Sequence, residues 1–150
     1  MAIGRLRFHP QGSFDMLMIN DTGAVSVPGT LVSVSTATDF AVRVNPAQRV
    51  DVTMVVHSPN VPVGGEIWCT LFGRCQVLLA DSTGTTTGNW VRRHATIDGR
   101  ADGTATQQPD EGNPEVYPTS TRKHLFGLGR ALETVTAGTD KLAWIMMLHT

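Results

Sequence analysis

The most informative part of this sequence is EIWCTLFGRCQVLLA, residues 66–80. Apolar residues occupy every second position in its first half, which is the period of a β-strand. The same alternation resumes after Gly73 and continues to Leu79. A glycine inside such a run predicts a tight turn or a bulge in a bent strand. The alternating residues are Ile67, Cys69 and Leu71, followed by Cys75, Val77 and Leu79.

The rest of the chain has the composition of a β protein. Its 150 residues include 19 Thr and 16 Val, but only two Lys and four Glu. β-branched residues favour strands, and strong helix formers are scarce. The 15 Gly exceed the usual share of about 7% and suit many turns. The composition predicts an all-β fold, either a barrel or a sandwich.

The chain length suits a single domain, here predicted over residues 15–150 after an extended N-terminal arm of residues 1–14. Residues 98–122 show almost no apolar periodicity and predict a long irregular loop. Near the end, residues 124–135 and 141–149 are strand-like runs around a turn, which predicts a β-hairpin. Both faces of the last run are apolar, so it lies either inside a sandwich or at a subunit interface.

Charge and hydropathy argue against several classes of function. The net charge is −1 and the pI is about 6.5, which is unlike a nucleic-acid-binding protein. No apolar run approaches the ~20 residues of a membrane span. The first ten residues contain no apolar segment of a secretory signal, so synthesis in a cytoplasm is expected. The five histidines are scattered. We therefore predict no catalytic residues, no metal, no cofactor and no small-molecule substrate.

Two cysteines, Cys69 and Cys75, lie in apolar, strand-like sequence. The C-x5-C spacing has no second pair that would complete a zinc site. They are interpreted as small buried hydrophobic residues. A disulfide forms only if their strands pair, and the sequence leaves this open.

One motif suggests chemistry. Residues 21–24 read Asp-Thr-Gly-Ala, as in the aspartic proteases of retroviral type, in which a dimer supplies two such carboxylates. Asn20 departs from that family's apolar residue before the Asp. Those proteases also carry a hydrophobic-Gly-Arg sequence further along the chain, which Leu-Gly-Arg of residues 128–130 loosely resembles. The interval from Asp21 to these residues is longer than such a protease allows. Asp21 in an ordinary polar turn is the other interpretation.

Aromatic and arginine side chains mark candidate surfaces for binding a protein. Trp90 lies beside two arginines, and both residue types are enriched in protein interfaces. The N-terminal arm combines apolar and basic side chains suited to docking. The candidate contact residues are Ile3, Arg5, Leu6, Arg7 and Phe8 in the arm, and Trp90, Arg92 and Arg93 in the predicted strand.

Several segments, in this order, resemble the capsid decoration (cement) proteins of tailed bacteriophages. These segments are Glu-Ile-Trp of residues 66–68, Gln-Val-Leu-Leu of 76–79, Gly-Asn-Trp-Val of 88–91, Gly-Arg-Ala-Asp of 99–102, and 126–140 before the last strand. The resemblance covers about residues 60–149.

The resemblance implies a barrel-like or tulip-shaped β domain that assembles as a homotrimer. It implies a location on the outer capsid surface of the virion, where the major capsid protein is the partner and the shell is stabilised. The arm and the Trp90 region would contact the capsid. Trp68, Trp144 and Met146 would lie in the subunit interface. Another virion part, such as a head fibre base or a head–tail connector component, is the alternative.

Overall fold

The computed structural model describes residues 4–46, 53–104 and 127–148, and these ranges contain strands and no helix. The predicted all-β class is confirmed. The strands are β1 Leu6–His9, β2 Ser13–Asn20, β3 Leu31–Val34, β4 Ala41–Val44, β5 Met54–Val56, β6 Glu66–Leu78, β7 Thr83–Thr85, β8 Trp90–Arg93, β9 Ala101–Thr104, β10 Gly127–Ala131, β11 Val135–Gly138 and β12 Leu142–Met147.

Five strands close into a ring that we call the first barrel. β2 pairs with β4, β4 with β3, β3 with β5, β5 with β6, and β6 returns to β2. The β2–β4 pair is parallel and the others are antiparallel. The predicted barrel is therefore present in this half of the molecule. Its interior is filled by Met18, Val32, Val42, Met54, Val56, Ile67 and Cys69.

The later part of β6 belongs to a second ring, the second barrel. There β6 pairs with β12, β12 with β10, β10 with β8, and β8 with β9, all antiparallel. Leu79, directly after β6, forms one parallel bridge to Ala101 at the start of β9 and so returns the ring to its origin. The β7–β11 pair forms a separate two-stranded sheet. The core of the second barrel also receives two residues from β3 and β5. Its members are Leu31, Val55, Cys75, Val77, Leu79, Val91, Ala101, Leu128, Ala131, Ala143, Ile145 and Met147.

Gly73 is the point at which β6 passes from one barrel to the other. Its φ of +96° lies in the left-handed region, which glycine adopts without penalty. A Cβ at this position would overlap the carbonyl oxygen of Gly12. The β2–β6 register also shifts beside this site, between Phe14 and Asp15. The predicted bend with a bulge is confirmed, and it sends Cys69 into the first core and Cys75 into the second.

The C-terminal hairpin prediction is confirmed for its pairing, since β10 and β12 are antiparallel neighbours. The first run is shorter than expected because the chain leaves the ladder after Ala131, and β11 pairs with β7 instead. Gly129 allows this close packing, because a Cβ there would overlap the Met146 carbonyl. Residues 124–126 lie outside the described residues.

Residues 6–9 of the predicted arm form β1, an extended strand antiparallel to β2, and the expected boundary at residue 14 lies inside β2. In the stretch expected to be irregular, Ala101–Thr104 is strand β9. Residues 105–126 lie outside the described residues. Both cysteines are free and buried, one in each core.

Candidate functional site

All three tryptophans of the chain carry an arginine on the indole ring. The guanidinium carbon lies 3.9 Å from the ring centre in Arg7–Trp68, 4.5 Å in Arg74–Trp144 and 3.9 Å in Arg130–Trp90. Such stacks contribute about 0.5–1 kcal/mol each at exposed sites. Each stack also fixes the position of a flexible charged side chain beside an aromatic surface.

Two of these stacks lie on the outer face of the second barrel. The register places Arg74 opposite Met146, Met146 opposite Arg130, and Arg130 opposite Trp90. Residues directly opposite one another share a face of the sheet, so these four form one row across β6, β12, β10 and β8. We call it the outer row. Met146, predicted in a subunit interface, and Trp90, predicted in a capsid contact, therefore lie on one surface.

Arg92 and Arg93 point in opposite directions because side chains alternate along a strand. Arg92 faces outward and forms an ion pair of 3.2 Å with Asp102 on β9. Arg93 is only 5% exposed. Of the two predicted contact residues, the structure thus brings Arg92 to the surface beside Trp90 and buries Arg93.

Arg7 performs a structural task in the N-terminal hairpin. Its Nη2 lies 3.1 Å from Oδ2 of Asp15, whose side chain is completely buried. The hydroxyl of Thr70 donates a hydrogen bond of 2.9 Å to the other oxygen of the same carboxylate. A buried charge requires partners of this kind. Arg7 therefore attaches β1 to the wall of the first barrel while it covers Trp68.

The other face of β1 is apolar and open. Leu6 is 48% exposed and Phe8 is 73% exposed. Phe8 lies opposite Phe14, whose ring stacks on that of Phe72 at 5.1 Å. Arg5 is exposed, and Ile3 lies outside the described residues. The predicted arm thus presents an aromatic surface on one face and a buried ion pair on the other.

An open cleft lies where the two barrels meet. Its volume is about 170 Å³, and its walls come from the turn before β2, from the loop before β3, from the end of β5, from both halves of β6 and from β12. Trp144, predicted in an interface, forms part of the wall. The polar side chains of the wall belong to Gln11, Ser13, His57, Thr70, Arg74 and Gln76.

His57 at this cleft contacts a second histidine, His9 of β1, with ring centres 5.0 Å apart. Partial burial lowers the pKa of His57 below its ordinary value of 6.5. Asp15 opposes this shift, while His9 and Arg7 add to it. A lowered pKa leaves the imidazole neutral at pH 7, when it can donate or accept a hydrogen bond.

Asp21, the candidate protease residue, lies in a tightly tied turn. Its carboxylate accepts a hydrogen bond of 2.7 Å from the hydroxyl of Ser35. The buried side chain of Asn20 binds the backbone of Thr22 and Ala24. These contacts are those of a structural turn, which the second interpretation of the motif expected.

In the described ranges, no group of three or more His, Cys, Asp or Glu side chains is placed to hold a metal ion. No helix in those ranges could span a membrane.

Sequence reasoning missed Arg74 and Arg130, although it found the tryptophans on which they lie. The outward position of Arg74 could have been predicted. In the alternation after Gly73, Arg74 shares a strand face with the polar Gln76, opposite the apolar Cys75 and Val77. Arg130 could not have been found, since its contact with Trp90 depends on the pairing of β10 with β8.

No family model and no curated protein sequence matches the chain. A solved structure does: the crystal structure of the head fiber gp8.5 N base in bacteriophage phi29. The TM-score is 0.53 at 14% sequence identity, and the match covers 89% of this chain and 92% of the other. At this identity the similarity establishes a shared fold.

Proposed function

We propose that this protein is a structural component of a bacteriophage head and binds the outside of the shell. The observation that carries the proposal is the fold match to a head fibre base over nearly the whole of both chains. The sequence resemblance to capsid decoration proteins supports the same class of protein. Neither similarity involves a catalytic site, and we propose a binding role without an enzymatic step or a cofactor.

Within this class, we propose a decoration protein that binds the major capsid protein and stabilises the mature shell. A ligand that binds only the assembled shell stabilises it by mass action. The exposed Leu6 and Phe8, together with Trp90 and Arg92, are the proposed contacts. Three subunits acting together would strengthen weak individual contacts by raising their effective concentration.

The base of a head fibre is the second candidate, and the matched structure favours it directly. If the protein is a fibre base, its binding should leave the temperature at which the shell releases DNA unchanged.

Purified expanded heads that lack this protein provide the test. Saturable binding in a sedimentation assay, with a raised temperature of DNA release, is the result expected of a decoration protein. Binding without that rise would replace the first candidate by the fibre base. Absence of binding, or a ring of density confined to the portal vertex in cryo-EM, would overturn the proposal.

The proposed trimer has its own test. Light scattering should give a mass near three times the 16.1 kDa of the chain. Trp68→Ala should reduce that mass, whereas Met146→Ala should not, because we propose that the outer row faces the capsid. A monomer at every concentration tested would overturn the trimer.

A further inference from the structure

The size of the cleft between the barrels limits what it can hold. Pockets for drug-sized ligands and cofactors have volumes of about 300–1,000 Å³. An engineered cavity of about 150 Å³ holds a single benzene molecule. At about 170 Å³ this cleft has room for one side chain from a partner.

The chemistry of the wall indicates which side chain. Arg74 supplies a positive charge, and Gln11 and Gln76 supply further N–H donors, while no Asp or Glu lines the cleft among the described residues. Glu133 lies near Trp144, but its carboxylate accepts the backbone N–H of Trp144 at 2.8 Å. One cation beside two amide side chains that can turn their N–H groups toward a ligand is complementary to a carboxylate.

Arg74 is also held ready for such a contact. Its guanidinium lies over the ring of Trp144, which restrains the side chain before a partner arrives. Stacking uses the flat face of the guanidinium and leaves N–H groups at its edge for a bidentate bond to a carboxylate. Because the side chain of Arg74 is already restrained, it loses less conformational entropy when a partner binds.

We propose that this cleft receives the carboxylate of a Glu or Asp side chain from an extended acidic segment of a partner protein. Arg74 binds the carboxylate, and Trp144 packs against the aliphatic part of the segment. That the partner is the shell protein rests on the proposed function, whereas the recognition chemistry rests on the cleft alone.

The outer row sets the spacing of a second acidic residue. Arg74 and Arg130 are separated by one strand, and strands lie about 4.8 Å apart, so their backbones are about 10 Å apart. A segment in the polyproline II conformation advances about 3.1 Å per residue and presents every third side chain on one face, so a carboxylate three residues further on would reach Arg130. The preferred segment has the pattern acidic-x-x-acidic.

Nucleic acid phosphates are the competing anionic partner. The net charge of −1 and the pI near 6.5 favour a protein partner, because binding to a polyanion depends on a broad positive surface. The test therefore includes both kinds of probe.

The experiment is an NMR titration of the ¹⁵N-labelled full chain with the peptide acetyl-Gly-Glu-Ala-Ala-Glu-Gly-amide. The matched probes are the same peptide with Gln in place of both Glu, and octathymidylate. We expect the indole N–H signal of Trp144 to shift with the acidic peptide and that of Trp68 to remain in place. Arg74→Gln should weaken binding roughly tenfold or more, since bonds to charged groups are the strong ones. Lys141→Gln, at an exposed cation outside the cleft, should change nothing.

Equal binding of the Gln peptide, unchanged affinity in Arg74→Gln, or tighter binding of octathymidylate would overturn the inference. Signals away from the cleft report that the Arg74→Gln variant is folded. The proposed function fails separately. If heads bind the wild-type protein and Arg74→Gln equally well, the cleft inference is wrong and the function stands. If the acidic peptide binds but heads do not, the proposed function is wrong and the cleft inference stands.

Discussion

Every neighbouring pair of strands in the first barrel shares a ladder of at least two residue pairs, whereas the second barrel returns to its first strand through the single Leu79–Ala101 bridge. Their polar groups are also distributed differently. Buried polar side chains such as Asp15, Asn20 and Thr70 belong to the first barrel. In the second barrel, arginine and tryptophan side chains lie mainly on the outer face.

This difference assigns two tasks to two regions. The first barrel is specified by internal hydrogen bonds, each of which is costly to leave unmade. The second has a mainly aliphatic core and carries Trp90, Trp144 and Arg130 on its outer face, although Arg93 is buried. The cleft lies at the junction, so its shape depends on both barrels. Four substitutions or sets of substitutions test this comparison.

The largest effect is expected at Gly73, which both barrels require. Gly73→Ala should lower the free energy of unfolding by about 3 kcal/mol or more, since left-handed strain adds to overlap with Gly12. Urea denaturation measures it. Gly23→Ala is the matched control, because Gly23 has a φ of +80° but no atom within 4 Å of a Cβ. It should lose only about 1–2 kcal/mol. Equal losses at both sites would contradict the close approach at Gly73.

Two ion pairs of nearly equal length compare the barrels directly. Arg7→Gln strands the fully buried Asp15 in the first barrel and should cost about 2–3 kcal/mol. Arg92→Gln breaks the more exposed pair with Asp102 and should cost less than about 1 kcal/mol. The double variant Arg7→Gln with Asp15→Asn should recover part of the first loss. Similar costs for the two single variants would show that burial does not distinguish the pairs.

The two cysteines report on the barrels separately. Burial raises the pKa of both thiols to about 12, so both react slowly with a thiol reagent while the barrels are closed, although Cys75 also borders the cleft. The second barrel, which contains Cys75, is closed by a single bridge and should open more often. We therefore expect the thiol of Cys75, measured in Cys69→Ala, to react about tenfold faster than that of Cys69, measured in Cys75→Ala. That ratio corresponds to about 1.4 kcal/mol, the size of one or two net hydrogen bonds. Equal rates would mean that the barrels open together.

The smallest effect is expected at His57. Because its pKa is lower in the folded protein, the unfolded chain binds more protons in that range. Its contribution to stability is therefore present above about pH 6.5 and is lost as the pH falls through the folded pKa. Thermal melts between pH 7.5 and 5 should show a small decrease in Tm from this group. His57→Gln should flatten this dependence, and His9→Gln should weaken it. A dependence unchanged in both variants would exclude His57 as its source.

The sequence predicted features that depend on neighbouring residues. The alternation on either side of Gly73 predicted β6 and its bend, and the runs around the last turn predicted the β10–β12 pair. The choice between barrel and sandwich, and the order of the strands, could not be predicted, since they depend on pairs such as β2 with β4, whose registers are set by long-range packing. The site followed the same division. Trp144 and Trp90 were found by residue type, but their arginines come from other strands.

A strand shared by two rings also determines how the molecule carries mechanical load. A pull on Arg74 that is directed along β6 travels along covalent backbone, past Gly73, into the first barrel. There β6 is held along both edges, by β2 and by β5. Ladder hydrogen bonds lie across the strand direction, so this pull loads them together in shear. Tension at the exposed face is thereby distributed over the hydrogen-bonded wall of the opposite half of the protein.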